Sequence, residues 1–201
     1  VSHSAKCETA ILLSNRSLGN GIVGALVKQG HIQHIVWDWN GTLLDDTEAC
    51  VAAINRILEK RGMTRVTVPQ YRDVFGFPVK DYYLALGFDF SVESWDLLAR
   101  EYHDFYEETS RTSPLRGGIV DILDALRKKA VPMSILSACE LSILERMLRE
   151  RAVRDYFPRI YGLTDLFASS KVDQGRILMA DVGLHPEQVL LIGDTLHDHE
   201  V

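Results

Sequence analysis

The stretch IVWDWNGTLLDD, residues 35–46, joins an apolar run to a polar turn through one carboxylate, Asp38. An apolar run bounded by a turn signal is typical of a buried strand that enters a loop. In a parallel α/β sheet, a carboxylate at the C-terminal end of such a strand lies at the edge where ligands bind. The alternative is a β-hairpin, because Asn40-Gly41 is the strongest short hairpin signal. The rest of the chain separates these two interpretations.

Composition indicates an ordinary globular protein. The chain has 201 residues, of which 46% are hydrophobic and 25% charged, so we expect one domain with a sizeable insertion or two small ones. The net charge of -6 gives no electrostatic reason to expect nucleic acid or an anionic membrane as a partner. Three widely spaced cysteines, Cys7, Cys50 and Cys139, are predicted to be free thiols in a reducing compartment.

The sequence lacks the signals of a membrane protein or a secreted one. No apolar run approaches the length of a membrane span, and the polar N-terminus carries no signal-peptide core. We therefore expect a cytoplasmic location. Neither the pattern nor the composition predicts an oligomeric state.

The first part of the chain contains a glycine motif. Residues Ala10–Leu13 are a candidate short strand, and Gly19–Gly24 match the dinucleotide-binding pattern GxGxxG. Five residues separate that strand from the first glycine, where the motif requires none, so the match is weak. The simpler interpretation is a helix at Gly21–Gln29, and we predict that residues 1–31 form a mainly helical extension.

A helical pattern follows the opening stretch. One face of a helix is formed after Thr47 by Val51, Ile54, Ile57 and Leu58. A second amphipathic helix is predicted over about Val92–Glu108. Because no convincing strand lies between, residues 47–110 are predicted to be a helical subdomain inserted into a core of residues 32–46 and 111–201.

From Pro114 onward, helices and strands alternate. The predicted strands are Val131–Leu136, Arg159–Leu163 and Gln188–Ile192, with helices before, between and after them. This alternation predicts an α/β fold with a Rossmann-like parallel sheet. Chemically useful groups then stand at or just beyond strand ends, namely Asp38, Ser137, Lys171, Asp194 and Asp198.

These groups converge if the sheet is parallel. Carboxylates from separate strands repel unless a cation lies between them, and oxygen ligands are what Mg²⁺ prefers. A lysine and a serine hydroxyl beside the metal suit a phosphoryl group. The residues thus predict magnesium-assisted phosphoryl transfer with a carboxylate nucleophile.

At this point the chain resembles the haloacid dehalogenase-like hydrolases, in particular the phosphoglycolate-phosphatase-like branch with a helical cap. The resemblance covers residues 32–201. Four motifs occur in the family's order: DWNGTL at 38–43, Ser137 after a strand, Lys171, and GDTLHD at 193–198. It implies a Mg²⁺-dependent phosphatase acting on a small phosphorylated metabolite.

The resemblance also implies roles for individual residues. Asp38 would be the nucleophile and a metal ligand, and Asn40 would ligate the metal through its main-chain carbonyl. Asp194 and Asp198 would complete the metal site. The substrate phosphate would contact Thr42, Ser137, Ala138 and Lys171. Residues 47–110 would form the cap, with Phe75–Pro78 and Lys80 as candidates to face the substrate, although a packed turn is the simpler interpretation. His197 and His199 are expected to be exposed loop residues.

Two departures from the family pattern are evident. Asn40 stands where the family carries the acid/base aspartate, and loss of a general acid typically costs about 10²–10⁴-fold. Acyl phosphates and anhydrides would suffer least, unless Asp45, Asp46 or the substrate supplies the proton. Alternatives are a weakened phosphate- or phosphoprotein-binding relative, a phosphonate hydrolase, or a nucleotide-cofactor protein using Gly19–Gly24. The family also continues through a further helix and strand after the fourth motif, so we expect an early stop at Val201 or a sheet edge completed differently.

Overall fold

A parallel sheet forms the centre of the computed structural model, which describes residues 10–12, 31–167 and 170–201. Its five strands run in the order β1-β5-β2-β3-β4, and every pairing is parallel. The strands are β1 (Ala10–Leu12), β2 (His34–Trp37), β3 (Met133–Glu140), β4 (Arg159–Leu163) and β5 (Val189–Gly193). The predicted α/β fold with a parallel sheet is confirmed, and the hairpin alternative for Asn40-Gly41 is wrong.

Helices connect the strands and follow the last of them. In the described part of the chain they are α1 (Thr47–Lys60), α2 (Val68–Val74), α3 (Val79–Ala85), α4 (Trp95–Ser110), α5 (Ile119–Lys128), α6 (Leu141–Glu150), α7 (Val172–Val182) and α8 (Leu196–Glu200). Among the described residues, none of these helices has the length and apolarity that crossing a membrane requires.

The core lies around β2, which is flanked by β3 and β5. All four residues of β2 are buried, and Ile35 and Trp37 have no exposed surface. A strand covered on both faces needs apolar side chains on both, which explains why residues 34–37 read as a continuous run rather than an alternation. The end of this rigid strand holds Asp38.

The helical insertion follows β2 directly. Helices α1 and α4 pack against each other, with Ile54, Ile57 and Leu98 fully buried. Two short helices lie between them, and each begins at a proline: Pro69 lies in the first turn of α2, and Pro78 directly precedes α3. The predicted helical insertion after the first core strand is confirmed; the bounds of the core at 32–46 and 111–201 and of the insertion at 47–110 stay a prediction.

Both connections of the insertion pass through one point. Leu44, before α1, forms an antiparallel bridge with Leu115, after α4. The Asp45 amide donates to the Pro114 carbonyl at 2.9 Å, and the Arg116 amide donates to the Leu43 carbonyl at 2.8 Å. The entry and exit of the insertion therefore lie side by side.

The N-terminal strand β1 completes the sheet next to β5. Its Ile11 pairs with Ile192, in parallel. The candidate short strand at Ala10–Leu13 is found at Ala10–Leu12. That residues 1–31 are mainly helical stays a prediction. The predicted helix Gly21–Gln29 and the glycine motif Gly19–Gly24 lie outside the described residues.

Strand β3 differs from its prediction at both ends. It begins at Met133 rather than Val131 and continues to Glu140, with a register shift against β4 between Leu136 and Glu140. An irregularity of this kind is a frequent device for redirecting side chains near a site. Ser137 consequently lies within the strand rather than at its end.

Candidate active site

A buried ion pair lies at the end of β2. Lys171 directly precedes α7. Its ammonium donates to Asp38 Oδ1 at 2.5 Å and to the Leu136 carbonyl at 3.2 Å. The two side chains are only 3% and 9% exposed. A lysine is electrostatically disfavoured at a helix N-terminus, so its position is explained by the carboxylates that surround it.

Asp198 is the second anion that Lys171 contacts. Its Oδ1 lies 2.5 Å from the lysine nitrogen. Its Oδ2 accepts from the Thr195 amide at 2.9 Å and from the Thr195 hydroxyl at 2.7 Å. The bond from the Thr195 amide and the bond that the Asp198 amide donates to the Thr195 hydroxyl oxygen form the capping box of α8. One carboxylate therefore both caps the helix and faces the site.

Asp194 approaches the loop after Asp38. Its Oδ1 accepts from the Thr42 hydroxyl at 3.3 Å. Gly41 has a φ of +73°, and a Cβ added there would lie 2.1 Å from Asp194 Oδ2. Only glycine leaves room for the carboxylate at this backbone position. Asp38, Asp194 and Asp198 each present a carboxylate oxygen within 4.8 Å of the others.

The cluster carries more acid than base. Burial raises the pKa of Asp38, Lys171 lowers it, and the charges of Asp198 and Asp194 raise it, with a net value of about 8. Burial and then Asp198 raise the pKa of Asp194 to about 6. Burial lowers the pKa of Lys171, but Asp38 and Asp198 raise it by more, so the lysine stays protonated.

A divalent cation fits this cluster. Three carboxylates lie together beside one lysine, and burial, followed by the charges of the neighbouring carboxylates, raises the pKa of Asp38 and of Asp194. Asp198 Oδ1 is buried and has no hydrogen-bond partner beyond its ion pair. A donor set made of oxygen alone is typical of Mg²⁺.

Ser137 and Ala138 lie next to this cluster along β3. Ser137 is 1% exposed, and its hydroxyl accepts from the Cys139 amide at 3.1 Å. Ala138 is partly buried. Among the described contacts, neither residue touches Asp38 or Lys171, so their predicted contact with substrate phosphate stays a prediction.

The side chain of Asn40 turns toward the helical insertion. Its amide nitrogen donates to Asp46 Oδ2 at 2.7 Å and to the Tyr106 hydroxyl at 2.8 Å. The Tyr106 hydroxyl itself donates to Asp46 Oδ2 at 2.5 Å. This carboxylate is 2% exposed and accepts from Asn40, Gly41 and Tyr106, an arrangement that gives no support to Asp46 as the source of a proton for the leaving group.

Sequence reasoning missed Tyr106 and Arg116, and it did not assign Asp46 a role in holding the loop. Besides Asp46 and Tyr106, the Arg116 guanidinium donates to the carbonyls of Gly41 and Thr42, the latter at 3.2 Å. Arg116 follows the paired connection at Leu115, which explains its proximity to the loop. The only sequence signal was its position directly after the insertion.

Phe77, in the loop between α2 and α3, contacts the core at His197. The Phe77 ring stacks on the imidazole, with ring centroids 4.5 Å apart. His197 is only 8% exposed, so its prediction as an exposed loop residue is wrong, whereas His199 is exposed as expected. Lys80 is exposed, and its ammonium lies over the Phe90 ring, which gives no support to a lysine above the site.

The fold and the acidic edge together define a class. A parallel α/β core, a helical insertion directly after the strand that carries an aspartate, and a lysine among further carboxylates are the marks of a capped hydrolase. The family model for haloacid dehalogenase-like hydrolases matches residues 35–201. The chain belongs to that family.

Individual relatives carry phosphatase names. A phosphoglycolate phosphatase of Photobacterium profundum is 29% identical over 83% of this chain and 77% of its own length. An N-acetylmuramic acid 6-phosphate phosphatase of Pseudomonas aeruginosa is 26% identical over 87% and 78%. A solved haloacid dehalogenase-like family hydrolase of Streptococcus pneumoniae has a TM-score of 0.69 at 23% identity, covering 85% of this chain and 81% of its own. That structural likeness supports the fold.

Proposed function

We propose that this chain is a Mg²⁺-dependent phosphatase that acts on a small phosphorylated metabolite through an aspartyl-phosphate at Asp38. The observation that supports it most is the buried pair of Asp38 and Lys171 with Asp194 and Asp198 beside it. A buried carboxylate is a useful nucleophile only if a nearby cation keeps it ionised. Lys171 supplies part of that positive charge, and a bound Mg²⁺ would supply the rest, because the pKa of Asp38 without the metal is about 8.

The proposed reaction has two displacements. An Asp38 carboxylate oxygen attacks phosphorus, the bond from phosphorus to the leaving oxygen breaks, and the electron pair stays on that oxygen. Water then attacks the phosphorus of the aspartyl-phosphate, and the bond to Asp38 breaks. Lys171 offsets negative charge on Asp38 and the phosphoryl oxygens throughout.

Asp38, Asp194, Asp198 and the Asn40 main-chain carbonyl would hold the Mg²⁺. When bound, the ion would neutralise charge on the phosphoryl oxygens. We further propose that residues 47–110 act as the cap that admits and selects the substrate. The contact between Phe77 and His197, which joins the helical insertion to the loop after β5, supports this role.

Phosphate release from a panel of phosphorylated metabolites, with Mg²⁺ or with a chelator, tests the proposal. The panel includes phosphoglycolate and N-acetylmuramic acid 6-phosphate, which the relatives' names suggest. We expect release only with Mg²⁺, and a protein mass higher by one phosphoryl group after rapid quenching. Asp38→Asn should lose both signals.

Asp121→Asn is the matched control. Asp121 is an exposed carboxylate in the first turn of α5, outside the acidic cluster. We expect this variant to retain the activity of the unaltered protein. Undiminished release by Asp38→Asn, or equal loss in both variants, would contradict the nucleophile assignment.

A further inference from the structure

We propose that Asp46 and Tyr106 are positioning residues that present Asn40 to the phosphoryl site as a hydrogen-bond acceptor, and that the enzyme is consequently selective for phosphates with acidic leaving groups, such as acyl phosphates. This inference rests on the proposed phosphatase function and names the substrate class of that same site.

The hydrogen bonds define the orientation of the Asn40 amide. A carboxylate can only accept, so the atom 2.7 Å from Asp46 Oδ2 must be the amide nitrogen. The Tyr106 hydroxyl gives its proton to Asp46 and accepts from the same nitrogen at 2.8 Å. Both amide protons are therefore engaged, and Oδ1 is the atom that Asn40 has left to offer.

Neither partner can substitute for the missing acid. Asp46 Oδ1 accepts from the Gly41 amide at 2.9 Å, and Oδ2 accepts from Asn40 and Tyr106. The hydroxyl proton of Tyr106 is committed to Asp46, and this residue is 6% exposed. At the position where the resemblance places the acid/base aspartate, Asn40 thus offers an acceptor and no proton to give.

The chemistry of the leaving group follows. When Asp38 attacks an alkyl phosphate, the electron pair stays on an alkoxide that needs a proton at once. When it attacks an acyl phosphate, the pair is delocalised over a carboxylate, which leaves unprotonated. Water then attacks the aspartyl-phosphate, and both its protons remain on the inorganic phosphate released. The amide oxygen can orient this water by accepting a hydrogen bond.

A leaving-group series on the unaltered protein tests the proposal without any variant. We expect kcat/KM for acetyl phosphate to exceed that for an alkyl phosphate such as glycerol phosphate by about 10²-fold or more, the usual worth of a general acid. Across aryl phosphates, log kcat/KM should fall steeply as the pKa of the leaving phenol rises. Equal rates on acyl and alkyl esters would overturn this inference and leave the proposed function intact.

Exchanging the amide and the carboxylate tests the pairing. Asn40→Asp combined with Asp46→Asn keeps the hydrogen-bond pattern, because the new amide donates to the new carboxylate while its oxygen still accepts from Gly41. We expect the pair to raise the rate on the alkyl ester by about tenfold or more and to flatten the aryl series. Asn40→Asp alone should gain less, since it sets two carboxylates 2.7 Å apart.

Tyr106→Phe, made in the exchanged background, tests the tyrosine. It should reduce the gain, because the hydroxyl no longer holds the new carboxylate. Tyr102→Phe, one turn earlier on α4, is the matched control and should leave the gain intact. Additive single changes, with no extra gain in the pair, would overturn the proposal. Absence of Asp38-dependent hydrolysis of every phosphate, acetyl phosphate included, would overturn the proposed function itself.

Discussion

Lys171 joins two buried carboxylates that would otherwise repel each other. Its ammonium lies 2.5 Å from both Asp38 and Asp198, and all three side chains are less than 10% exposed. Removing one partner of a buried ion pair leaves a charge with neither water nor counter-ion. At this residue, charge balance and function are therefore inseparable.

Replacing Lys171 by methionine should lower the free energy of unfolding by about 3–5 kcal/mol at pH 8 without Mg²⁺. Mg²⁺ should restore part of the loss, because it supplies the missing positive charge. Urea unfolding with and without the metal measures both. Arg176→Met, which removes an exposed pair with Asp173 on the same helix, should cost less than about 1 kcal/mol. Equal losses in the two variants would contradict the charge-balance explanation.

Gly41 offers a second test at single-residue resolution. Gly41→Ala meets two penalties, a left-handed backbone and a Cβ that would lie 2.1 Å from Asp194 Oδ2. Gly62→Ala meets only the first, because its φ is +66° and nothing lies within 4 Å of an added Cβ. The left-handed conformation costs about 1–2 kcal/mol.

We therefore expect Gly41→Ala to lose more unfolding free energy than Gly62→Ala and to weaken Mg²⁺ binding, which the control should leave unaltered. Thermal unfolding across a Mg²⁺ titration gives both quantities. Similar stability and similar metal binding in the two variants would show that Asp194 moves aside without cost.

The sequence could predict the residues of the acidic cluster but not their supports. Asp38, Lys171, Asp194 and Asp198 follow recognisable strands or precede a helix, and parallel topology brings such positions together. Asp46, Tyr106 and Arg116 act through side-chain atoms that meet across 60 or more residues of chain. Helical periodicity predicts which face of α4 is buried, but not which hydroxyl on that face reaches the catalytic loop.

Among the elements, α4 makes the most direct connection between insertion and core. Its Tyr106 reaches Asp46, its His103 Nε2 bonds the Leu166 carbonyl at 3.0 Å, and Trp95 lies near Phe167. Arg146 of α6 also pairs with Glu107. A helix anchored at both ends and in its middle holds the insertion in one orientation over the acidic edge.

His103 makes this anchoring pH-dependent. Burial lowers its pKa, although the Leu166 carbonyl, Asp104 and Glu140 oppose the shift. The unfolded chain then binds the proton more readily than the native state. The resulting stability is present above the unfolded pKa of about 6.5 and is lost as the pH falls through the lower native value.

We expect His103→Gln, which keeps a donor for Leu166 but cannot titrate, to lose less stability than the unaltered protein between pH 7.5 and 5.5. Urea unfolding at the two pH values measures the difference. His199→Gln, at an exposed position outside α4, should show the full loss. If His103→Gln follows the same pH curve as the control, the imidazole is not the titrating group.

Element boundaries were predictable where the pattern was strong. The helices around Ile54 and Tyr102 and the strand into Asp38 agree closely with the expected positions. Strand β3 extends past Leu136 because its register shift against β4 keeps residues up to Glu140 paired. His197 is buried because the Phe77 ring stacks on its imidazole. Both depend on neighbours distant in sequence, which no local pattern contains.

At the scale of the whole molecule, β1 forms one edge of the sheet, next to β5. Strand β1 covers β5, so β5 lies between two neighbours and the loop that carries Asp194 leaves an internal strand. An uncovered β5 would present unpaired main-chain groups at an edge.

Deleting residues 1–12 should convert β5 into an edge strand, whereas deleting residues 1–9 should leave β1 in place. We expect faster amide hydrogen exchange in Val189–Gly193 and more aggregation in the first variant alone. Hydrogen-exchange mass spectrometry and light scattering measure the two effects. Unchanged exchange after the longer deletion would mean that β1 contributes little to the sheet.

The bridge between Leu44 and Leu115 has a consequence for how such a protein can diversify. Because the insertion departs and returns through neighbouring main-chain positions, its whole length can change without altering the distance that the core must span. A donor segment needs only two adjacent ends to be accommodated. If the insertion selects the substrate as proposed, exchanging it would exchange the substrate preference. Tyr106 limits such an exchange, because a replacement segment without it also removes a support of Asn40.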